Sequence, residues 1–161
     1  MNLRAMASAL SRWLLGAKRP IDNRPQVSNL PHRISVLAIT SNDGDRRLLS
    51  SFSVRGQWDL VFTSSCQEAL AILESRRAAV IVCDRDLPGP DWRECVRSLA
   101  GARPESPILL MSSIFDEYLW EEVVHIGGYD VAPKPLQEEQ VVRIVNLAWS
   151  YAKNLKAPAR L

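Results

Sequence analysis

The chain has 161 residues and a formal net charge of +2, with 47% hydrophobic and 24% charged residues. This length suits one ordinary domain, and the composition is typical of a soluble globular protein. The near-neutral charge excludes a strongly basic nucleic-acid-binding domain, and no apolar run reaches the roughly 18 residues of a membrane-spanning helix. Three cysteines without a Cys-x-x-Cys spacing and two distant histidines predict neither a disulfide framework nor a zinc site. We therefore expect a cytoplasmic protein.

The N-terminal segment differs from the rest of the chain in charge and in pattern. Residues 1–33 hold six basic residues and one acidic residue, whereas residues 34–150 are acidic on balance. The apolar side chains of residues 2–16 fall on one side of a helix, which predicts an amphipathic helix. Its apolar stripe is expected to pack against the folded domain, a second copy of the chain or an anionic membrane surface.

Prolines and charges indicate where the folded domain begins and ends. Three prolines fall within residues 20–31, and each disfavours helix in the residue before it, which predicts a linker. We therefore expect an amphipathic helix and linker over residues 1–32, a folded domain over residues 33–155 and a basic tail over residues 156–161.

Short apolar segments alternate with amphipathic segments after residue 33. The pattern predicts five strands, at 34–39, 58–63, 78–83, 107–111 and 129–132, and five helices, at 45–54, 65–76, 91–99, 116–126 and 136–154. Such alternation is typical of an α/β fold, in which a parallel sheet is covered by helices on both faces. We predict a doubly wound five-stranded parallel sheet of order 2-1-3-4-5, the flavodoxin-like arrangement. Its ligand site is expected at the carboxyl ends of strands 1 and 3.

Polar side chains follow four of the predicted strands. Thr40 follows the first strand, Asp84 the third, Ser112 the fourth and Lys134 the fifth. Because the carboxyl ends of parallel strands meet at one edge of the sheet, these side chains are expected to lie together. A carboxylate there could act as a nucleophile, and a hydroxyl and a lysine could hold phosphate oxygens. The sequence therefore predicts a polar site of phosphoryl size at this edge.

The chain resembles the receiver domains of response regulators, the CheY-like family, in three stretches: CDRDLPGPDW, PILLMSS and IGGYDVAPKPL. The resemblance covers about residues 33–155 and has the three motifs in the order of the family. It implies that Asp84 is the phospho-acceptor. It also implies that Ser112 and Lys134 bind the phosphoryl group.

The resemblance further implies a function in two-component signal transduction. A stand-alone receiver would act through protein–protein contacts rather than as an enzyme, and its partner would be a histidine kinase or another signalling protein. A homodimer is a further interpretation that the sequence leaves open. No nucleic-acid partner is expected, because the sheet and its helices leave no helix-turn-helix or other base-contacting module.

The sequence departs from the family where the first strand ends. Thr40 and Ser41 stand where the family has two acidic residues that hold Mg²⁺, so Mg²⁺ binding is expected to be weak. Asp84 would be the remaining metal ligand, and Asp43 or Asp45 could replace the missing carboxylates.

Two functional interpretations follow from this departure. Either Asp84 accepts phosphate, or the chain is a phosphorylation-independent pseudo-receiver that serves as a scaffold or interaction module. The loss of the acidic pair favours the second. A flavodoxin-like hydrolase or transferase with Asp84 as its nucleophile is disfavoured, because no histidine lies near Asp84 in the motifs.

The predicted fourth helix, fifth strand and fifth helix carry side chains suited to a partner surface. Trp120 and Trp149 lie outside the main apolar stripes of their helices, and aromatic residues at such rims often anchor interfaces. Val131 stands where the resemblance places the family's switch aromatic. We expect Trp120, Val131 and Trp149 to form part of a partner face.

Overall fold

A computed structural model describes residues 33–156 and shows a parallel sheet of five strands between two layers of helices. The strands are β1 (Ile34–Ile39), β2 (Trp58–Thr63), β3 (Val80–Asp84), β4 (Ile108–Ser112) and β5 (Asp130–Pro133). The helices are α1 (Asp43–Gly56), α2 (Cys66–Ser75), α3 (Trp92–Ala102), α4 (Glu117–His125) and α5 (Glu138–Lys156). The predictions for residues 1–32 and for the basic tail beyond Lys156 concern residues outside the described range.

The predicted sheet order is confirmed, since the strands lie side by side as β2-β1-β3-β4-β5 and all pair in parallel. Strands β3 and β4 end one residue later than predicted, at Asp84 and Ser112. The reason is that backbone pairing does not depend on side-chain polarity: Asp84 pairs with Met111, and Ser112 pairs with Pro133. Both polar residues are therefore held by the sheet itself rather than by loops.

Two apolar clusters cover the two faces of the sheet. Successive residues of the central strands point to opposite faces, so that Leu37 packs in one cluster and Val36 in the other. Helices α2, α3 and α4 cover the first face, and α1 and α5 cover the second. Because both faces are covered, β3 and β4 are buried along their whole length, as their continuously apolar sequences predict.

Helix α1 begins directly after β1, and its start is fixed by a side-chain cap. The Asn42 side chain accepts a hydrogen bond from the Asp45 backbone N–H at 2.9 Å, as is usual for a residue at a helix N-terminus. This cap sets the first turn of α1 beside the carboxyl edge of the sheet. Among the helices of residues 33–156, none is long and apolar enough to cross a membrane.

Candidate functional site

Asp84 lies at the centre of the carboxyl edge, and hydrogen-bond donors occupy both of its carboxylate oxygens. The residue is only 2% exposed. Its Oδ1 accepts hydrogen bonds from the Asp86 backbone N–H at 3.1 Å and from the Lys134 ammonium at 3.0 Å. Its Oδ2 accepts a hydrogen bond from the Thr40 hydroxyl at 3.1 Å. The predicted meeting of Thr40, Asp84 and Lys134 at one edge is thus present in the structure.

A second carboxylate shares the Lys134 ammonium with Asp84. Asp45 Oδ2 lies 2.6 Å from Lys134 Nζ. Both aspartates are buried, and the Lys134 side chain is 16% exposed. Burial alone would lower the pKa of Lys134, but its ion pairs with the Asp45 and Asp84 carboxylates outweigh that effect and raise the pKa. The ammonium therefore stays charged at neutral pH.

The β1 side of the site carries a further cation. Arg46 directs its Nε and one terminal nitrogen to the Thr40 carbonyl, each at 3.0 Å. The same terminal nitrogen donates to the Ser64 hydroxyl at 2.7 Å, and the guanidinium lies 5.3 Å from the centre of the Phe62 ring. The Arg46 guanidinium thus binds the backbone at the end of β1. It is a second cation at the carboxyl edge of the sheet, in addition to the Lys134 ammonium.

Ser112 is the last residue of β4, and its hydroxyl is hydrogen-bonded to the loop that follows the strand. Its Oγ accepts a hydrogen bond from the Ile114 backbone N–H at 3.1 Å, and its carbonyl accepts one from the Lys134 backbone N–H at 2.8 Å. Within residues 33–156, the Ser112 hydroxyl makes no hydrogen bond to Asp84 or Lys134. Ser112 therefore positions the backbone of Lys134, and its predicted role in binding phosphate stays a prediction.

Of the two aspartates that could replace the missing acidic pair, the structure brings Asp45 into the pocket and leaves Asp43 exposed. The role of Asp43 as a metal ligand stays a prediction, and its side chain is exposed in this structure. Asp43 is the first residue of α1, and Asp45 follows two residues later with its side chain turned to the sheet edge. The cap at Asn42 was the signal in the sequence that could have separated them, because it fixes where the first turn starts.

The pocket in this arrangement does not fit a divalent cation. Mg²⁺ requires oxygen ligands at about 2.0–2.1 Å in near-octahedral geometry. Here the Asp45 and Asp84 carboxylates both contact the Lys134 ammonium, which neutralises one of their two charges. Within residues 33–156, no group of three or more His, Cys, Asp or Glu residues is arranged to hold a metal ion. With Lys134 in place, the Asp45 and Asp84 carboxylates therefore bind an ammonium and not a metal ion.

The three residues of the predicted partner face lie in different environments. Trp120 is 43% exposed, and its indole N–H donates to Asp130 at 3.1 Å. Trp149 is half-buried against the core, with the Lys153 ammonium 4.2 Å from its ring centre. Val131 is buried in the core, so its predicted place on the surface is wrong. The reason is that β5 lies between α4 and α5, which cover both of its faces.

Comparison with known proteins supports the same architecture. Residues 36–146 match the response regulator receiver domain family. The transcriptional regulator NtrC of Salmonella typhimurium is 26% identical over 94 residues, which are 58% of this chain. The matched region covers 20% of the length of NtrC. The chain spans about a fifth of the length of each curated relative that it matches.

Solved receiver structures show the same fold. The chemotaxis response regulator CheY4 of Vibrio cholerae superimposes with a TM-score of 0.67 at 20% identity, covering 73% of this chain and 99% of that one. The receiver domain of the sensor histidine kinase PA1611 of Pseudomonas aeruginosa, solved with magnesium in its active-site cleft, gives 0.66 at 16% identity, covering 74% and 99%. The family match takes in more than half of the chain and includes the elements that carry Asp84 and Lys134. The chain therefore belongs to the family of response regulator receiver domains.

Proposed function

We propose that this receiver domain signals through protein contacts without phosphoryl transfer at Asp84. The observation that carries the proposal is the Asp45–Lys134–Asp84 ion pair, in which one ammonium lies within 3.0 Å of both carboxylates. A carboxylate attacks a phosphoryl donor through an oxygen lone pair, and both Asp84 oxygens already accept hydrogen bonds. Oδ1 accepts two hydrogen bonds and Oδ2 accepts one, so one lone pair of Oδ2 remains for attack on a donor.

Charge also disfavours the transfer. A phosphoryl group develops negative charge in transit, and catalysis of its transfer depends on metal ions and cationic side chains that stabilise that charge. The single ammonium of the pocket is shared by two carboxylates, and the Arg46 guanidinium is directed to Thr40 and Ser64. Little uncompensated positive charge remains for an incoming donor. Transfer to Asp84 is therefore expected to be slow.

The proposed function is tested by incubating the protein with acetyl phosphate and Mg²⁺ and separating the products on a phosphate-affinity gel. We expect no shifted band for the wild type and the same pattern for Asp84→Ala. A stoichiometric shifted band that disappears in Asp84→Ala would overturn the proposal and identify a working phosphorylation switch.

Phosphorylation of Asp84 by a histidine kinase is the second candidate function. It is favoured by one observation: Asp84 and Lys134 occupy the positions that the resemblance assigns to the phospho-acceptor and the pocket lysine, and they are in contact. In this case the kinase would be the partner, and the receiver would use Mg²⁺. The same phosphate-affinity experiment separates the two candidates.

The contact surface proposed for signalling lies on α4, α5 and the loop before α4. Most of the large hydrophobic side chains that are exposed within residues 33–156 are found there: Ile114, Phe115, Tyr118, Trp120, Val124, Leu147, Tyr151 and Leu155. Large exposed apolar patches on soluble proteins mark interaction sites. We propose that this surface binds a second copy of the chain or another signalling protein in the cytoplasm, and that the domain is a signalling module rather than an enzyme.

Self-association is the first test of that surface. We expect light scattering to show a mass that rises with protein concentration in the wild type and less so in Trp120→Ala. Val54→Ala is the matched control, because Val54 is an exposed apolar residue on α1, outside the proposed surface. Equal masses for wild type and Trp120→Ala at every concentration would count against self-association through this surface.

A further inference from the structure

We propose that the Lys134 ammonium is the resident cation of the pocket and that Asp45 positions it, so that the pocket keeps its shape without a metal ion. The inference rests on the proposed phosphorylation-independent function, since both concern the same pocket. It assigns a role to Asp45, a residue outside the motifs that carry the resemblance. It also explains how a pocket without the family's acidic pair can hold buried charges.

The position of the ammonium is fixed from both sides. Lys134 follows β5, and its backbone N–H is bonded to Ser112 at the end of β4. Asp45 is fixed by the cap that starts α1, and Asp84 is the last residue of β3. The ammonium therefore joins α1, β3 and the end of β5, and its two ion pairs of 2.6 and 3.0 Å use groups that are already held by backbone hydrogen bonds.

The charges of the pocket explain why a further cation is not needed. Two buried carboxylates without a counter-charge would be costly, and a buried charge persists only where it is paired and hydrogen-bonded. Lys134 supplies one positive charge between Asp45 and Asp84, and the Thr40 hydroxyl donates to the second oxygen of Asp84. A divalent ion could enter only by displacing the ammonium from both carboxylates.

The proposal has an unusual consequence for a variant that lacks the ammonium. In Lys134→Met, the two carboxylate oxygens that contacted one nitrogen would face each other without a cation between them. Hard carboxylate oxygens are suitable ligands for Mg²⁺, and water can complete its coordination. Removing the lysine is therefore expected to create a Mg²⁺ site that the wild type lacks. That site should depend on Asp45 as well as on Asp84.

Thermal unfolding with and without Mg²⁺ tests this consequence. The melting temperature is measured at neutral pH in EDTA and in about 10 mM MgCl₂, a concentration at which a site of submillimolar affinity would be well occupied. We expect no Mg²⁺-dependent rise for the wild type, for Lys134→Arg or for the surface control Lys156→Met. We expect a rise of several degrees for Lys134→Met, with an apparent Mg²⁺ affinity at least about tenfold tighter than that of the wild type. The double variant Lys134→Met/Asp45→Asn should lose that rise.

Three results would overturn the proposal: a Mg²⁺-dependent rise in the wild type, no rise in Lys134→Met, or a rise that survives in the double variant. If Lys134→Met is unfolded in EDTA, the readout becomes Mg²⁺-dependent refolding followed by circular dichroism, and failure to refold counts against the proposal. These outcomes are separate from the acetyl phosphate test. Phosphorylation of the wild type would overturn the proposed function. A melting temperature of Lys134→Met that does not change with Mg²⁺ would overturn only the role assigned to Lys134 and Asp45.

Discussion

The pocket has one half built by β3, β4 and β5 and another half built by β1 and α1. The first half holds Asp84, Ser112 and Lys134 at the positions that the family motifs assign to them. In the second half, Thr40 and Ser41 stand where the resemblance leads us to expect an acidic pair, and Asp45 enters from the first turn of α1. The carboxylate that contacts Lys134 from this half therefore comes from the neighbouring helix and not from the end of β1.

The two halves differ in what holds their side chains. Asp84 and Ser112 are the last residues of paired strands, so their directions follow from the pleat of the sheet. Asp45 is directed by a helix cap, and Thr40 by its hydrogen bond to Asp84. Because a cap can shift without breaking the sheet, the β1–α1 half can change its residues while the β3–β5 half remains in place.

Lys134→Met should have the largest effect on stability, because it breaks the link between the two halves. Removing one partner of a buried ion pair leaves uncompensated charge and costs about 3–5 kcal/mol of unfolding free energy. Urea denaturation at pH 7 in EDTA measures this loss. Lys156→Met at the exposed end of α5 is the control, and its effect should stay within about 0.5 kcal/mol. A loss below about 1 kcal/mol in Lys134→Met would show that the ammonium does not link the halves.

Asp45→Asn should have the next largest effect, because it removes one of the two carboxylates that hold Lys134 while keeping the shape of the side chain. The expected loss is about 1–3 kcal/mol, the range for removing a charged partner from a hydrogen bond. Asp43→Asn is the matched control in the same helical turn, and its loss should stay below about 1 kcal/mol because only the helix dipole is affected. Equal losses in the two variants would assign the effect of Asp45 to the helix terminus rather than to the pocket.

Thr40→Val should lower the free energy of unfolding by a smaller amount, because it removes only the hydrogen bonds of the Thr40 hydroxyl. That hydroxyl donates to Asp84 and accepts from the Asn42 backbone N–H, and its loss is expected to cost about 1–2 kcal/mol. Thr40→Ser keeps the hydroxyl and should recover most of the hydrogen-bond contribution in chemical denaturation. If serine were no better than valine, packing of the methyl group rather than hydrogen bonding would explain the loss.

Raising the pH should have the smallest effect on the difference in the free energy of unfolding between the wild type and Lys134→Met until Lys134 begins to lose its proton. The pKa of this lysine is raised in the folded protein above its usual value of 10.5, so folding is favoured by the bound proton. That contribution is fully present below about pH 10.5 and is lost as the pH rises through the raised value. Burial raises the pKa of the Cys66 and Cys95 thiols, so the stability of both proteins falls as the unfolded thiols ionise above about pH 8. The difference in stability between the wild type and Lys134→Met should stay constant between pH 7 and 9 and should narrow at higher pH.

The Tyr129 hydroxyl does not disturb this comparison. Burial raises the pKa of Tyr129, as does the nearby negative charge of Asp130, so its ionisation also lowers stability at alkaline pH. The contribution has the same sign in the wild type and in Lys134→Met, and it cancels in the difference. Parallel alkaline losses in the two proteins would contradict a proton held on Lys134 by the pocket.

Most of the fold could be predicted from the sequence because its signals are local. The apolar runs of β1 and β2 give both strands to the residue, and the continuous apolar runs of β3 and β4 place them at the buried centre. The motif residues Asp84 and Lys134 follow from strand ends that share one edge. These predictions need only periodicity, strand polarity and the order of elements.

The rest depends on packing around particular residues. The sequence gives Asp43 and Asp45 similar standing, and only the start of α1 at Asn42 determines which carboxylate reaches Lys134. Val131 is expected on the partner face because it stands where the resemblance places the family's switch aromatic, but α4 and α5 cover both faces of β5. The coverage of an edge strand is a tertiary property that one sequence does not specify locally, whereas the Asn42 cap that selects Asp45 is a local signal.

The ion pairs of Lys134 also have a consequence for the order in which the chain folds. Lys134 lies 50 residues beyond Asp84 along the chain, and Asp45 lies earlier still. During synthesis, β1, α1 and β3 leave the ribosome before the lysine that neutralises their two carboxylates. Until then, water must solvate Asp45 and Asp84, so the edge formed by these first elements cannot become dry. Closure of the pocket is therefore a late folding event that waits for the C-terminal part of the domain, as contacts between distant segments generally do.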